Sequence, residues 1–246
     1  MSTLIKCELI KLRHSLSIGM LFLLALLPIV INMARPLLIK QQYQLFDLYF
    51  PLYNQYALFF PLVVMMVATA VFYMEYSNGT YVDWITYGYS KQKLIISKLT
   101  VAGLVLLAMC LLNYFIMALG LLLMVHATIV EVLQMTASFW GYSLIVILLN
   151  LPFGALLINI SRNAIITTVV GIVCMVINAI LMAAPFGYYI PTIFAYRFGL
   201  LPISRSDFFS NANLAASVGS TITIVVICCL VTFSIWQFSR KKPIEN

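Results

Sequence analysis

Long apolar runs broken by short polar connections organise this chain. Stretches without a charged residue cover 14–34, 48–74, 100–130, 132–161, 163–196 and 208–239. A helix needs only about 20 apolar residues to cross a bilayer, so each stretch is long enough for one crossing. The pattern predicts six spans, over about 17–34, 56–73, 99–126, 137–160, 164–184 and 218–238. Ahead of the first, Ile5, Leu9, Leu12 and Leu16 recur at helical spacing, with Lys6, Glu8, Lys11 and Arg13 off that face. This arrangement predicts an interfacial helix over residues 2–14. Between Gly187 and Ser217 the pattern changes: Pro191, Arg197, Pro202, Arg205 and Asp207 are mixed with Tyr188, Tyr189, Phe194, Tyr196, Phe198 and Phe208. Such a segment fits broken or re-entrant helix, and short helices at the outer surface are expected. The expected fold is an all-α polytopic membrane protein, with residues 1–246 forming a single transmembrane domain.

Composition agrees. Hydrophobic residues make up 63% of the chain and charged residues 9%, against about 25% charged in an ordinary soluble domain. Basic residues are retained preferentially on the cytoplasmic side of a membrane. One set of connections holds ten of them: Lys6, Lys11, Arg13, Lys91, Lys93, Lys98, Arg162, Arg240, Lys241 and Lys242; the alternate set holds four, Arg35, Lys40, Arg197 and Arg205. Both termini are therefore expected in the cytoplasm, and the net charge of +7 reads as topology. No soluble basic face interleaved with aromatics exists to suggest nucleic acid as a partner. The first run has basic residues ahead of it, as a signal peptide does, but residues 32–36 lack a small-x-small cleavage pattern, so an uncleaved span is expected. Cys110, Cys174, Cys228 and Cys229 lie within apolar runs and Cys7 near the basic N-terminus, with no C-x-x-C pair. They read as small packing residues and one reduced thiol.

Catalytic patterns are lacking. None of the eleven glycines begins a G-x-x-x-x-G-K-[ST] phosphate cradle, and neither H-E-x-x-H nor G-x-S-x-G occurs, so no catalytic residue and no metal site is assigned. His14 and His126 are far apart in sequence. The span centres hold no charged group; Asn113, Asn150, Asn159 and Asn178 are their strongest polar residues and are expected to bond to neighbouring helices. Ala179 with Ala183, and Ala215 with Gly219, are small-residue pairs suited to helix contacts.

The most informative stretch is the connection between spans two and three. Glu75 closes the second span, Asn78-Gly79 makes a turn, and Thr80 suits the cap of a short helix in which Tyr81, Trp84 and Ile85 share a face. Ser90 offers a second cap, and Lys91, Lys93 and Lys98 flank the start of span three as cytoplasmic basic anchors. A short aromatic helix here suits a partner protein; the same residue types also suit a snorkelling interfacial loop.

This glutamate, the Gly-Thr turn, the short helix and the Ser-Lys opening of span three resemble the permeases of ABC-2 type ATP-binding cassette exporters. The resemblance extends to the interfacial N-terminal helix, the six spans and the short outer helices between spans five and six. It implies that Glu75, Asn78, Gly79, Thr80, Tyr81, Trp84 and Ile85 form a coupling element that docks on a separate ATPase. ATP and Mg would then be bound by that partner, and this chain would bind no cofactor. The opening Cys7-Glu8-Leu9-Ile10-Lys11-Leu12-Arg13-His14-Ser15 is similar to that of permeases protecting lantibiotic producers. That likeness implies two ATPase copies, a second and unlike permease, a bacterial plasma membrane, and export of an amphipathic peptide. Tyr188, Tyr189, Phe194, Tyr196 and Phe198 are candidate outer substrate-facing aromatics through stacking and cation–π contact; headgroup-level anchoring is the other reading of them. A permease for a drug, ion or lipid, and a non-transporting scaffold or sensor, remain as alternatives.

Overall fold

The computed structural model describes residues 2–13, 15–38, 43–80, 88–125, 127–204, 208–209 and 211–240. His14, Lys40, Tyr81, Trp84, Ile85, His126, Arg205, Asp207, Lys241 and Lys242 lie outside the described residues. The elements are α1 (Ser2–Arg13), α2 (Leu16–Leu38), α3 (Leu45–Ser77), α4 (Lys91–Met124), α5 (Ile129–Ser161), α6 (Ala164–Leu181), a 3-10 turn (Gly187–Tyr189), α7 (Pro191–Leu200) and α8 (Ala212–Ser239). Among the described residues all regular structure is helical, and α2, α3, α4, α5, α6 and α8 are long and apolar enough to cross a membrane.

Helices α3 and α5 form the centre: 67% of the most apolar window of each is buried, against 11% for α6 and 17% for α8. Each has 33 residues, roughly 50 Å at 1.5 Å per residue, and so extends beyond a hydrocarbon layer of about 30 Å. The apolar runs mark the hydrocarbon; the helices continue past it. For this reason α3 begins at Leu45 and α4 at Lys91, well ahead of the predicted spans. Local chemistry sets several ends. Thr128 and Glu131 form a capping box before α5: the Glu131 N–H donates to Thr128 Oγ1 at 3.3 Å and the Thr128 N–H to Glu131 Oε2 at 2.8 Å. Helix α5 stops at Arg162, whose φ of +53° is left-handed, and the Asn163 side chain accepts from the Ile165 N–H at 2.9 Å to start α6.

Small residues let the central helices approach. A Cβ at Gly154 on α5 would stand 3.0 Å from Ala68 Cβ and 3.2 Å from Met65 Cα of α3. Buried hydroxyls join the same pair: Tyr49 donates to Ser138 at 2.9 Å and Tyr142 to the Ala57 carbonyl at 2.6 Å. The Ala215–Gly219 pair does seat a contact, since Ala215 is fully buried and a Cβ at Gly219 would run into the Phe194 ring.

The short helices expected between spans five and six are present as the 3-10 turn and α7. One face of α7 is buried: Ile193, Phe194, Ala195, Gly199 and Leu200 are covered and the helix packs on α5 and α8. Arg197 pins it: Nε and Nη2 donate to the Met182 carbonyl at 3.3 and 3.2 Å, Nη2 also to Ala184, and Nη1 to Phe208 at 2.9 Å. The cation thus sits against the C-terminal carbonyls of α6, where the helix dipole favours it. Asn113, Asn159 and Asn178 bond other elements, through the Ala25 carbonyl, the Tyr76 hydroxyl and the Thr192 hydroxyl. Other expectations change. Asn150 donates to Val146 of its own helix. The free thiols of Cys228 and Cys229 are exposed rather than packed. On α1 the inward face carries Glu8 and Leu12, while Leu9 points outward, as does Leu16 at the start of α2. The carboxylate turns inward because a buried lysine is waiting for it.

Candidate functional site

The site lies where α1 crosses the end of α3 and the start of α4. Glu75 is the last acid of α3, and Lys98 lies about two turns into α4. Lys98 is 1% exposed, Glu75 3% and Glu8 5%. The Lys98 ammonium donates to Glu8 Oε2 at 3.0 Å, to Glu75 Oε1 at 3.2 Å and to the Val71 carbonyl at 3.0 Å. Lys11 donates to Glu75 Oε1 at 2.9 Å and to Glu8 Oε1 at 3.3 Å. Among the described residues, two carboxylates and two ammonium groups thus form a formally neutral cluster. Neutrality is what allows burial, since desolvating an unpaired charge is far more expensive than desolvating a well-bonded set.

Lys11 is the cluster's link to water, with 41% of its side chain exposed. Its partial burial favours the uncharged amine, but the hydrogen bond to Glu75 and the charges of Glu8 and Glu75 outweigh this and hold its pKa above the ordinary lysine value of 10.5. Thr80 completes the arrangement from the turn, its hydroxyl donating to Glu75 Oε2 at 2.6 Å. Glu75 therefore ties four pieces of chain together: α1, its own helix, α4 and the turn beyond it. Gly79 makes that turn possible with a φ of +68°, and no neighbouring atom lies within 4 Å of where its Cβ would be. Its requirement for glycine is one of backbone conformation.

Glu8, Lys11 and Glu75 of the cluster also line a cavity of about 630 Å³, whose walls include Leu4, Cys7, Met74, Asn78, Tyr89 and Leu94. Thr80 and Tyr89 both line it.

The structure thus brings Glu75, Thr80 and Lys98 together and places Asn78 and Gly79 exposed on the adjoining turn. Lys98 is not a surface anchor: its partners include two buried carboxylates, and its ammonium nitrogen lies 5.9 Å from the Phe72 ring centroid. Lys93 is exposed and Lys91 half-buried. The Thr80 hydroxyl donates to Glu75, and the short helix it was expected to cap falls in residues 81–87, outside the described residues. Ser90 occupies the N-cap position of α4 without a side-chain bond. Sequence reasoning missed Glu8 as a partner. The available signal was an acid at helical spacing with Leu4, Ile5 and Leu12, in a chain with only seven acids.

At the opposite end of the bundle the candidate aromatics divide. Tyr189 and Phe198 are exposed and Tyr188 is half-buried. Phe194 is buried, and Tyr196 donates to Asn54 Oδ1 at 2.7 Å. No group of three or more His, Cys, Asp or Glu able to hold a metal occurs among the described residues.

No curated protein sequence matches the chain. A bundle of six apolar helices, bearing a short helix at one end that is locked to the turn after the second crossing, is the setting in which the family comparison applies. The sequence model of the ABC-2 family transporter proteins matches residues 4–178, most of the length, and the chain belongs to that family.

Proposed function

We propose that this permease subunit is driven through the turn after α3 by a separate ATP-binding subunit docked at the α1 end of the bundle, and that this end faces the cytosol. The observation that carries the reading is the cluster of Glu8, Lys11, Glu75 and Lys98, with Thr80 bonded into it. A force applied to the turn at Asn78–Thr80 reaches α1, α3 and α4 together, because charged bonds link all three elements at one carboxylate. Basic residues support the orientation: Lys6, Lys11, Arg13, Lys91, Lys93, Arg162 and Arg240 all belong to this end. On this reading the chain supplies the path and the lever, while nucleotide and Mg stay with the partner. The cargo is an amphipathic peptide of the lantibiotic kind moved outward, with two ATPase copies and a second, unlike permease completing the assembly. The opening sequence supports that cargo, and the exposed Tyr189 and Phe198 could receive a cationic apolar peptide at the outer surface.

The test is purification from native membranes of the wild-type chain and of Glu75→Gln, Gly79→Ala and Tyr189→Ala variants, followed by measurement of ATP hydrolysis in the complex. Expected is a co-purifying ATPase that is lost or uncoupled in the first two variants and retained in the third. A complex unaffected by Glu75→Gln and Gly79→Ala would remove the coupling assignment. Protection of cells against a panel of cationic peptides, drugs and ions tests the cargo separately.

A further inference from the structure

Helix α3 carries two prolines, Pro51 in its first turns and Pro61 within its predicted span; only Pro61 lies between the helix's attachments to α7 and to the ion cluster. Proline has no N–H, so the carbonyl four residues earlier loses its helical donor; here that carbonyl belongs to Ala57. In hydrocarbon an unsatisfied carbonyl is expensive, and a proline-bearing membrane helix needs a donor from elsewhere. The donor comes from α5, where the Tyr142 hydroxyl points at the Ala57 carbonyl at 2.6 Å. Tyr142 is 1% exposed and is wedged edge-on against Tyr53 and Tyr56, with ring centroids 5.6 and 6.2 Å away.

The two sides of this joint are held by different partners. On the N-terminal side, the Tyr53 hydroxyl donates to the Tyr196 carbonyl at 2.7 Å and the Tyr196 hydroxyl to Asn54 Oδ1 at 2.7 Å, so α7 is fastened to α3. The Tyr53 and Tyr196 rings also stack, with centroids 5.5 Å apart. On the C-terminal side, Glu75 fastens α3 to α1 and α4. One helix thus joins the ion cluster at one end of the bundle to α7 at the other, and Pro61 interrupts its backbone bonding between them.

We propose that α3 is a two-part lever jointed at Pro61, and that Tyr142 is the positioning residue that sets the joint by standing in for the missing N–H. While the hydroxyl holds Ala57, motion of the Glu75 end is passed to α7; when it lets go, the two halves bend independently. The proposal deepens the coupling reading above, resting on it for which end is driven but not for the existence of the joint.

The test uses the full chain in lipid nanodiscs, with the native cysteines replaced and spin labels at Asp47 and Ser77, both exposed. Distances are measured in the otherwise unchanged chain, in Tyr142→Phe, in Pro61→Ala and in the double variant. Tyr142→Phe keeps the ring and removes only the donor. It should broaden the distance distribution across α3, whereas in the Pro61→Ala background, where the backbone N–H is restored, the same change should have no effect. An unaltered distribution in Tyr142→Phe, or equal broadening in both backgrounds, would overturn the proposal. The measurement needs neither ATPase nor cargo, so failure of the coupling reading would leave it intact.

Discussion

Lys98→Met is the sharpest perturbation of the ion cluster. It removes an ammonium that bonds Glu8, Glu75 and the Val71 carbonyl at 3.0–3.2 Å, and it leaves an unbranched side chain of similar length in the same space. Removing one partner of a buried ion pair destabilises by about 3–5 kcal/mol, mostly because the remaining charge is left uncompensated. Here Lys11 still reaches both carboxylates, so the lower end, about 3 kcal/mol, is expected. At roughly 1.4 kcal/mol per factor of ten, that shifts the docking equilibrium of α1 by about two orders of magnitude. Hydrogen exchange of the α1 amides in nanodiscs reads this directly as lost protection, with α5 as the internal control. Adding Glu8→Leu to Lys98→Met should restore most of the protection, since the Glu75–Lys11 pair remains and an apolar contact can replace an ion pair without net loss. If α1 exchange in Lys98→Met matched the wild type, the cluster would not hold α1 and the argument built on it would fail.

Further outcomes follow from the same geometry. Gly79→Ala meets no atom within 4 Å but must hold a φ of +68°, so a loss of about 1–2 kcal/mol is expected from thermal unfolding, with a smaller loss for Gly79→Asn. Gly154→Leu forces α5 off the backbone of Met65 and Ala68 and should abolish the folded monodisperse protein, with Gly154→Ala costing about 1–3 kcal/mol. The pKa of Lys11 is raised by its carboxylates over the opposing effect of burial. Its contribution is therefore complete below the ordinary lysine value and lost only as pH rises through the higher folded value. Exchange of α1, corrected for intrinsic rates, should accordingly show no docking loss between about pH 6 and 9; a loss in that range that disappears in Lys11→Ala would contradict the assignment.

The spans were legible because a charge is so costly in hydrocarbon that six long runs without one leave little choice of architecture. The same signal marks only the apolar layer, which is why Leu45 and Lys91, outside it, were not recognised as helix starts. Glu75 and the Gly79 turn could be read from local chemistry. Lys98 could not: three lysines at the head of a helix look alike, and what separates Lys98 from Lys93 is that Glu8 and Glu75 converge on it from two other elements. Glu8 was misread for the matching reason, since an amphipathic pattern assigns charges to the outside and has no term for a distant lysine. Helix α7 was legible as a short helix between spans five and six, but the depth of its burial was hidden by its proline, arginine and tyrosine. Those polar groups are satisfied internally, Arg197 by the end of α6 and Tyr196 by Asn54, and this permits burial. The joint at Pro61 depends on a hydroxyl from Tyr142, more than eighty residues away, and periodicity along the chain is blind to it.

The most direct test of the central claim is site-specific photo-crosslinking in native membranes, with the reactive group placed at Asn78 on the turn and, separately, at Tyr189 at the far end of the bundle. The account predicts a cross-link from Asn78 to an ATP-binding subunit and none from Tyr189. A cross-link to that subunit from Tyr189, or its absence from Asn78 while the assembled complex hydrolyses ATP, would contradict it.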